Sequence, residues 1–169
     1  MIKSFTAFLL ALKMMESGGD YQSVNTLNFI GAYQFGEAAL TDLGYVRYDG
    51  NAYDNDYSGG FTGKDGIRSI KDFLNNKRVQ DAAVEKWMRL MWSYIELNRI
   101  EAFAGQPVGN ITLTTSGMLA ASHLLGAGAL KEFIASGGTA DLRDPYGTPI
   151  VHYIEKLGGY EVPFVRGGS

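Results

Sequence analysis

The sequence predicts a mainly α fold in one domain, and three observations carry that expectation. Apolar residues recur at helical spacing in stretch after stretch. Glycines, often in pairs, stand where most of those patterns run out. No stretch carries a strand pattern that can be set against these helical ones. A chain of 169 residues can bury a single core of ordinary size. The apolar fraction of 46% and the aromatic fraction of 12% belong to a globular chain, not a disordered one. The expected domain covers 1–164, with a loop insertion at 45–66 and a tail at 165–169.

The first helix is predicted over 5–15, with Ser4 as its N-cap and Phe5, Phe8, Leu9 and Leu12 as its apolar stripe. Gly18-Gly19 stops it. A polar loop follows, then the apolar run Phe29-Ile30-Gly31-Ala32-Tyr33-Gln34-Phe35, broken by one amide. Residues 37–43 read as a short helix closed by Gly44. From 45 to 66 helical spacing disappears: Tyr45, Tyr48, Tyr53, Tyr57 and Phe61 alternate with Asp49, Asp54, Asp56 and glycines. A loop this long in a compact domain is functional or disordered, and its aromatics argue for order. Tyrosines beside carboxylates suit sugars, the rings stacking on a pyranose face while the acids accept from hydroxyls. A decorated surface loop or a cation loop is the alternative. The spacing of Asp49, Asn51, Asp54 and Asp56 does not match an EF-hand.

Further helices are predicted at Ile67 to Leu74, over 78–103, over 116–125, over 129–135, and after Thr148-Pro149, where a cap and a first-turn proline start a helix. The 78–103 helix is expected to be the most apolar long one. Val79, Ala83, Trp87, Leu90, Met91, Tyr94 and Ile95 form its inner side. No strand is expected.

Cysteine is absent, which excludes disulfides and thiolate metal sites. With only His123 and His152 as imidazoles, no metal centre and no cofactor are expected. A net charge of −3 argues against nucleic acid and anionic membranes as partners. No apolar run is long enough for membrane insertion. The run from Phe8 to Leu12 lacks the flanks of a signal peptide and is expected to belong to the folded protein.

Glu16 is the residue that offers chemistry. At about 100° per residue it falls in the middle of the stripe of Phe5, Leu9 and Leu12. A carboxylate aimed into a core is costly unless paired or protonated, and desolvation raises a carboxyl pKa. A neutral carboxylic acid near neutral pH is what a general acid must be. The plainer alternative is a helix-end Glu that reaches solvent.

Three further stretches give Glu16 a context. Glu16-Ser17-Gly18-Gly19, then Gly31-Ala32-Tyr33-Gln34-Phe35, then the Ala-rich helix Ala120-Ala121-Ser122-His123-Leu124-Leu125-Gly126, then Val151-His152-Tyr153-Ile154 follow in that order. Together they resemble the lysozyme-like superfamily, specifically the lytic transglycosylases and related phage endolysins, over about residues 4–160. His123 stands near where that family has Tyr or Asn. The 45–66 loop has no counterpart and would be this chain's own recognition insertion.

The resemblance implies a lysozyme-like helical fold and cleavage of the β-1,4 bond between N-acetylmuramic acid and N-acetylglucosamine in peptidoglycan. It makes Glu16 catalytic. Ser17, Tyr33, Gln34, Phe35 and Tyr153 become substrate-side residues: Gln34 orients the sugar, while Tyr33, Phe35 and Tyr153 wall the cleft. His123 and Asp20 are candidate substrate-side residues beside these. Glycosidases with two carboxylates hold them about 5–5.5 Å apart for retention and about 6.5–9.5 Å for inversion. No second acid follows Glu16 at a telling spacing. Lytic transglycosylation to a 1,6-anhydro product is therefore the leading expectation. A hydrolytic muramidase whose water is held by Asp20, Asp49, Asp54 or Asp56 is the alternative, with an inactive glycan-binding module or a chitin-directed hydrolase behind it. The expected partners are peptidoglycan glycan strands and a delivery system, a phage particle or a secretion machine, that brings the enzyme to the periplasm and cell wall.

Overall fold

Several helix ends in the computed structural model, which describes Met1 and residues 3–167, trace to a local cause in the sequence. Helix α1 (Phe5–Ser17) starts where Ser4 Oγ accepts from the amide of Ala7 at 3.1 Å. It runs two residues beyond its expected end. The short α2 (Glu37–Asp42) and α3 (Ile70–Leu74) flank the long loop, which is irregular apart from one helical turn at Lys64–Gly66. Ser69 caps α3 by accepting from Asp72 N. Then come α4 (Lys77–Leu97), a hairpin of β1 (Gln106–Val108) and β2 (Ile111–Leu113), α5 (Thr115–Leu125), α6 (Ala127–Ala135) and α7 (Ile150–Lys156). The mainly α expectation holds.

Other elements differ from expectation as well, and α3 starts at Ile70 instead of Ile67. Helix α4 ends at Leu97 rather than near 103, because Arg99 turns into the left-handed region at φ 58° and Asn98 Nδ2 donates back to Tyr94 O at 2.8 Å. The apolar period runs on misleadingly, since Ile100 is buried beyond the helix end. Residues 106–113 form an antiparallel hairpin pairing Val108 with Ile111 across Gly109-Asn110. Strands of three residues are too short to show alternation. Pro149 stands just before α7 instead of inside it. Gly168 and Ser169, the end of the expected tail, lie outside the described residues.

The chain clusters into two compact units, and the division falls within α1 and α4. The unit of Met1–Ala11 and Met88–Ser169 is built on α5, whose residues from Thr115 to Ser122 are all buried. A helix apolar all round belongs inside a core, so α5, not the amphipathic α4, is the most enclosed helix. It packs against α6 and α7. A Cβ on Gly117 would lie 2.9 Å from Ile154 O, which shows how closely α5 and α7 approach. Ser116 Oγ, buried between them, donates to Leu157 O at 2.7 Å and accepts from Tyr160 N at 3.1 Å.

The other unit, Leu12–Trp87, has an aromatic core. Phe35, Phe73 and Tyr45 are wholly buried, and Phe35 meets Phe73 and Trp87 edge-on at centroid distances of 6.0 and 6.4 Å. The substitution Phe73→Ala removes a ring shared by Phe35 and Tyr45. It is expected to cost about 3–5 kcal/mol of unfolding free energy in urea titration.

Candidate functional site

Glu16 is half-buried in the last turn of α1. Gly18 and Gly19 take φ 66° and 86°, and their amides donate back to Met14 O and Lys13 O, so the helix cannot continue. Beside Glu16, Ser17 Oγ donates to Ala32 O at 2.7 Å. That bond fastens the helix end to the Gly31-Ala32-Tyr33-Gln34-Phe35 stretch.

This second stretch is a tight turn. Ile30 and Phe35 exchange both backbone hydrogen bonds at 2.9 Å, enclosing four residues. Gly31 and Gln34 lie in the left-handed region at φ 82° and 52°. Gln80, wholly buried on α4, holds the turn from below. Its Oε1 accepts from Ala32 N at 2.8 Å, and its Nε2 donates to Tyr21 O at 3.0 Å and Phe73 O at 2.8 Å. A Cβ on Gly31 would lie 2.5 Å from Gln80 Oε1, so the position requires glycine twice over.

The sequence-predicted residues separate into groups. Ser17, Tyr33, Gln34 and Phe35 come together at this turn, but not as a cleft wall. Phe35 is wholly buried in the aromatic core. Tyr33 is 3% exposed, and its hydroxyl donates to Asp81 Oδ1 at 2.8 Å, an oxygen that also accepts from Tyr21 at 2.7 Å. Burial, then the Asp81 carboxylate, pushes the Tyr33 phenol far up. Gln34 gives its amide nitrogen to Gly31 O at 2.9 Å and Ser23 O at 3.4 Å, serving the turn. Asp20 is exposed and accepts from Gln22 N at 2.9 Å, closing the bend after α1. His123 and Tyr153 belong to the other unit: His123 is half-buried in the last turn of α5, and Tyr153 is buried on α7.

A second grouping joins the long loop to α2. Glu37, the first residue of α2, is wholly buried. Its amide donates to Asn55 Oδ1 at 2.8 Å, and its Oε2 accepts from Tyr57 N at 3.1 Å. Its other oxygen, Oε1, is buried with no hydrogen-bond partner. Carboxylate oxygens of Glu37, Asp49, Asp54 and Asp56 all lie within 4.8 Å of one another. Burial above all, with Asp49 and Asp54 adding to it against the Tyr57 amide, pushes Glu37 from an ordinary 4.5 to about 7. Asp49 is held well below the usual carboxylate range, first by the Ser58 hydroxyl, which donates to it at 2.7 Å.

The loop is locked in place. Asn55 and Tyr57 sit in the left-handed region, Asn55 Nδ2 donates to Leu27 O at 2.9 Å, and Tyr57 OH donates to Asn28 O at 2.8 Å. The same helix and loop also form an open cavity of about 450 Å³, lined by Thr41 and Asp42 of α2 and by Tyr48, Asn51 and Tyr53 of the loop. The aspartates were visible in the sequence. Glu37 was not, because a first-turn acid is an ordinary helix-start residue.

Comparison of the chain with known protein families, with curated proteins and with solved structures finds no match in any of the three.

Gln80→Met keeps the volume but strands Ala32 N and takes a donor from Tyr21 O and Phe73 O, and is expected to cost about 1–3 kcal/mol in urea titration. A pH effect follows from Glu37. In chelator, its raised native value makes its stabilising share complete below about 4.5 and lost as pH rises to about 7. Glu37→Gln is expected to flatten thermal stability across that window, as read by melting temperature against pH.

Proposed function

We propose that this protein cleaves the β-1,4 bond between N-acetylmuramic acid and N-acetylglucosamine in peptidoglycan, by lytic transglycosylation with Glu16 as its single acid–base group. The observation that supports this reading most is the 2.7 Å hydrogen bond from Ser17 Oγ to Ala32 O. It draws together the Glu-Ser helix end and the Gly-x-Tyr-Gln-Phe turn, two of the stretches on which the resemblance to the lysozyme-like superfamily rests.

The chemistry needs one carboxyl group. Glu16 gives its proton to the glycosidic oxygen as the bond to C1 of the muramyl sugar breaks. The oxygen of the 2-acetamido group stabilises the cationic centre left behind. Glu16, now ionised, takes the proton of the muramyl C6 hydroxyl, whose oxygen closes on C1. The product is a 1,6-anhydro sugar, Glu16 regains its proton, and no water is consumed. The C-terminal end of a helix disfavours negative charge, which suits a group that must keep its proton until the sugar arrives. Asp20, engaged with the Gln22 amide, does not suit the second acid of a hydrolytic route. Tyr48 and Tyr53, exposed beside Asp42 and Asn51, offer the ring-and-carboxylate chemistry that saccharides use.

Glu16→Gln is expected to keep the melting temperature and binding to sacculi while losing turbidity clearing by a factor of about 10³ or more. Muropeptides released by the unaltered protein should be lighter by one water than those of a lysozyme digest. Clearing retained by Glu16→Gln refutes the proposal, and hydrated products refute the transglycosylation step.

A further inference from the structure

We propose that Glu37, Asp49, Asp54 and Asp56 form a binding site for one divalent cation, with Ca²⁺ the best fit. Four carboxylates from α2 and the loop place oxygens within 4.8 Å of one another. Like charges gathered so closely repel unless something neutralises them. The second observation is independent of that crowding. Glu37 is wholly buried, its Oε1 lacks any hydrogen-bond partner, and its carboxylate is one of the four in the group. A buried polar atom left unpaired costs about 1–3 kcal/mol, more when it is charged. A cation among these oxygens removes both penalties at once.

The donor set selects the ion. All donors are hard oxygens, with no imidazole or thiolate, which disfavours zinc and copper. Two oxygens on opposite sides of Ca²⁺ stand about 4.6–5.2 Å apart, given Ca–O distances of about 2.3–2.6 Å. Opposite oxygens on Mg²⁺ stand only about 4.0–4.2 Å apart. Oxygens that all lie within 4.8 Å of one another admit Ca²⁺, whose flexible coordination does not demand the near-ideal octahedron that Mg²⁺ does. The site goes beyond the proposed cleavage reaction and does not depend on it. Its consequence is local: a cation ties the start of α2 to the loop that carries Tyr48 and Tyr53, two walls of the 450 Å³ cavity.

The competing account is that Glu37 keeps a proton and shares it with a neighbouring aspartate, with no metal involved. Titration of chelator-treated protein with CaCl₂ in a calorimeter, and with MgCl₂ in a parallel run, separates the two. One Ca²⁺ per chain is expected, held about ten-fold or more tighter than Mg²⁺, with a rise in melting temperature that NaCl at matched ionic strength does not reproduce. Asp54→Asn combined with Asp56→Asn alters two exposed side chains. This variant should weaken Ca²⁺ binding about ten-fold or more while leaving the melting temperature in chelator unchanged or higher. Glu37→Gln keeps an oxygen for the Tyr57 amide and should weaken binding likewise. The proposal is overturned by the absence of saturable heat up to about 10 mM CaCl₂, or by Ca²⁺ binding that survives both variants. Equal affinity for Mg²⁺ overturns the assignment to the larger ion.

Discussion

Gln80 offers one amide to three backbone groups: the Ala32 N–H, the carbonyl of Tyr21, and the carbonyl of Phe73, which also accepts from Asn76 N. Such a group contributes less by the bonds it makes than by the desolvation penalties it prevents. The loop after α1, the turn at 31–34 and the end of α3 all hang from it. The turn in turn receives the Ser17 hydroxyl, so the position of the α1 end, and with it Glu16, is fixed through a chain of two hydrogen bonds that starts at Gln80. Nothing in this arrangement requires the turn residues to face solvent. Tyr33 and Phe35 are spent on burial, which is why they brace the turn and do not line a surface.

The long loop follows the same rule of polar groups buried with partners. Asn55 caps the first amide of α2 through its side-chain oxygen and uses its amide nitrogen on Leu27 O. Tyr57 sends its hydroxyl under the turn to Asn28. Both pay for left-handed backbone, at about 1–3 kcal/mol each, and both are enclosed enough to recover it. Tyr48, Tyr53, Asp54 and Asp56 are among the loop side chains that remain exposed, where a ligand can reach them.

Much of the helical framework was legible because its signals are local. Ser4, Gly18-Gly19 and Gly44 mark helix ends through backbone geometry that a neighbour cannot change, and the stripe of Phe8, Leu9 and Leu12 is buried as its spacing implies. The failures are cases where tertiary context overrides a local pattern. Ile100 prolongs a helical period past a helix that Arg99 has already ended. Residues 106–113, where no strand is expected, form a hairpin with Pro107 opposite Thr112. In the site, Gln34 stood out as a polar residue in an apolar run, and its partners are backbone carbonyls. Glu37 lies far from the aspartates in sequence, and only the fold of the loop back onto α2 reveals it as their neighbour.

Gly18 and Gly31 share a left-handed backbone but differ in what surrounds them. Nothing lies within 4 Å of where a side chain would begin at Gly18, whereas the Gln80 oxygen occupies that space at Gly31. Asparagine, which tolerates this backbone, could replace the first at small cost and could not replace the second. Sequence drift in this chain would accordingly leave its mark at the helix stop while position 31 stayed fixed, two apparently equivalent glycines ageing at different rates.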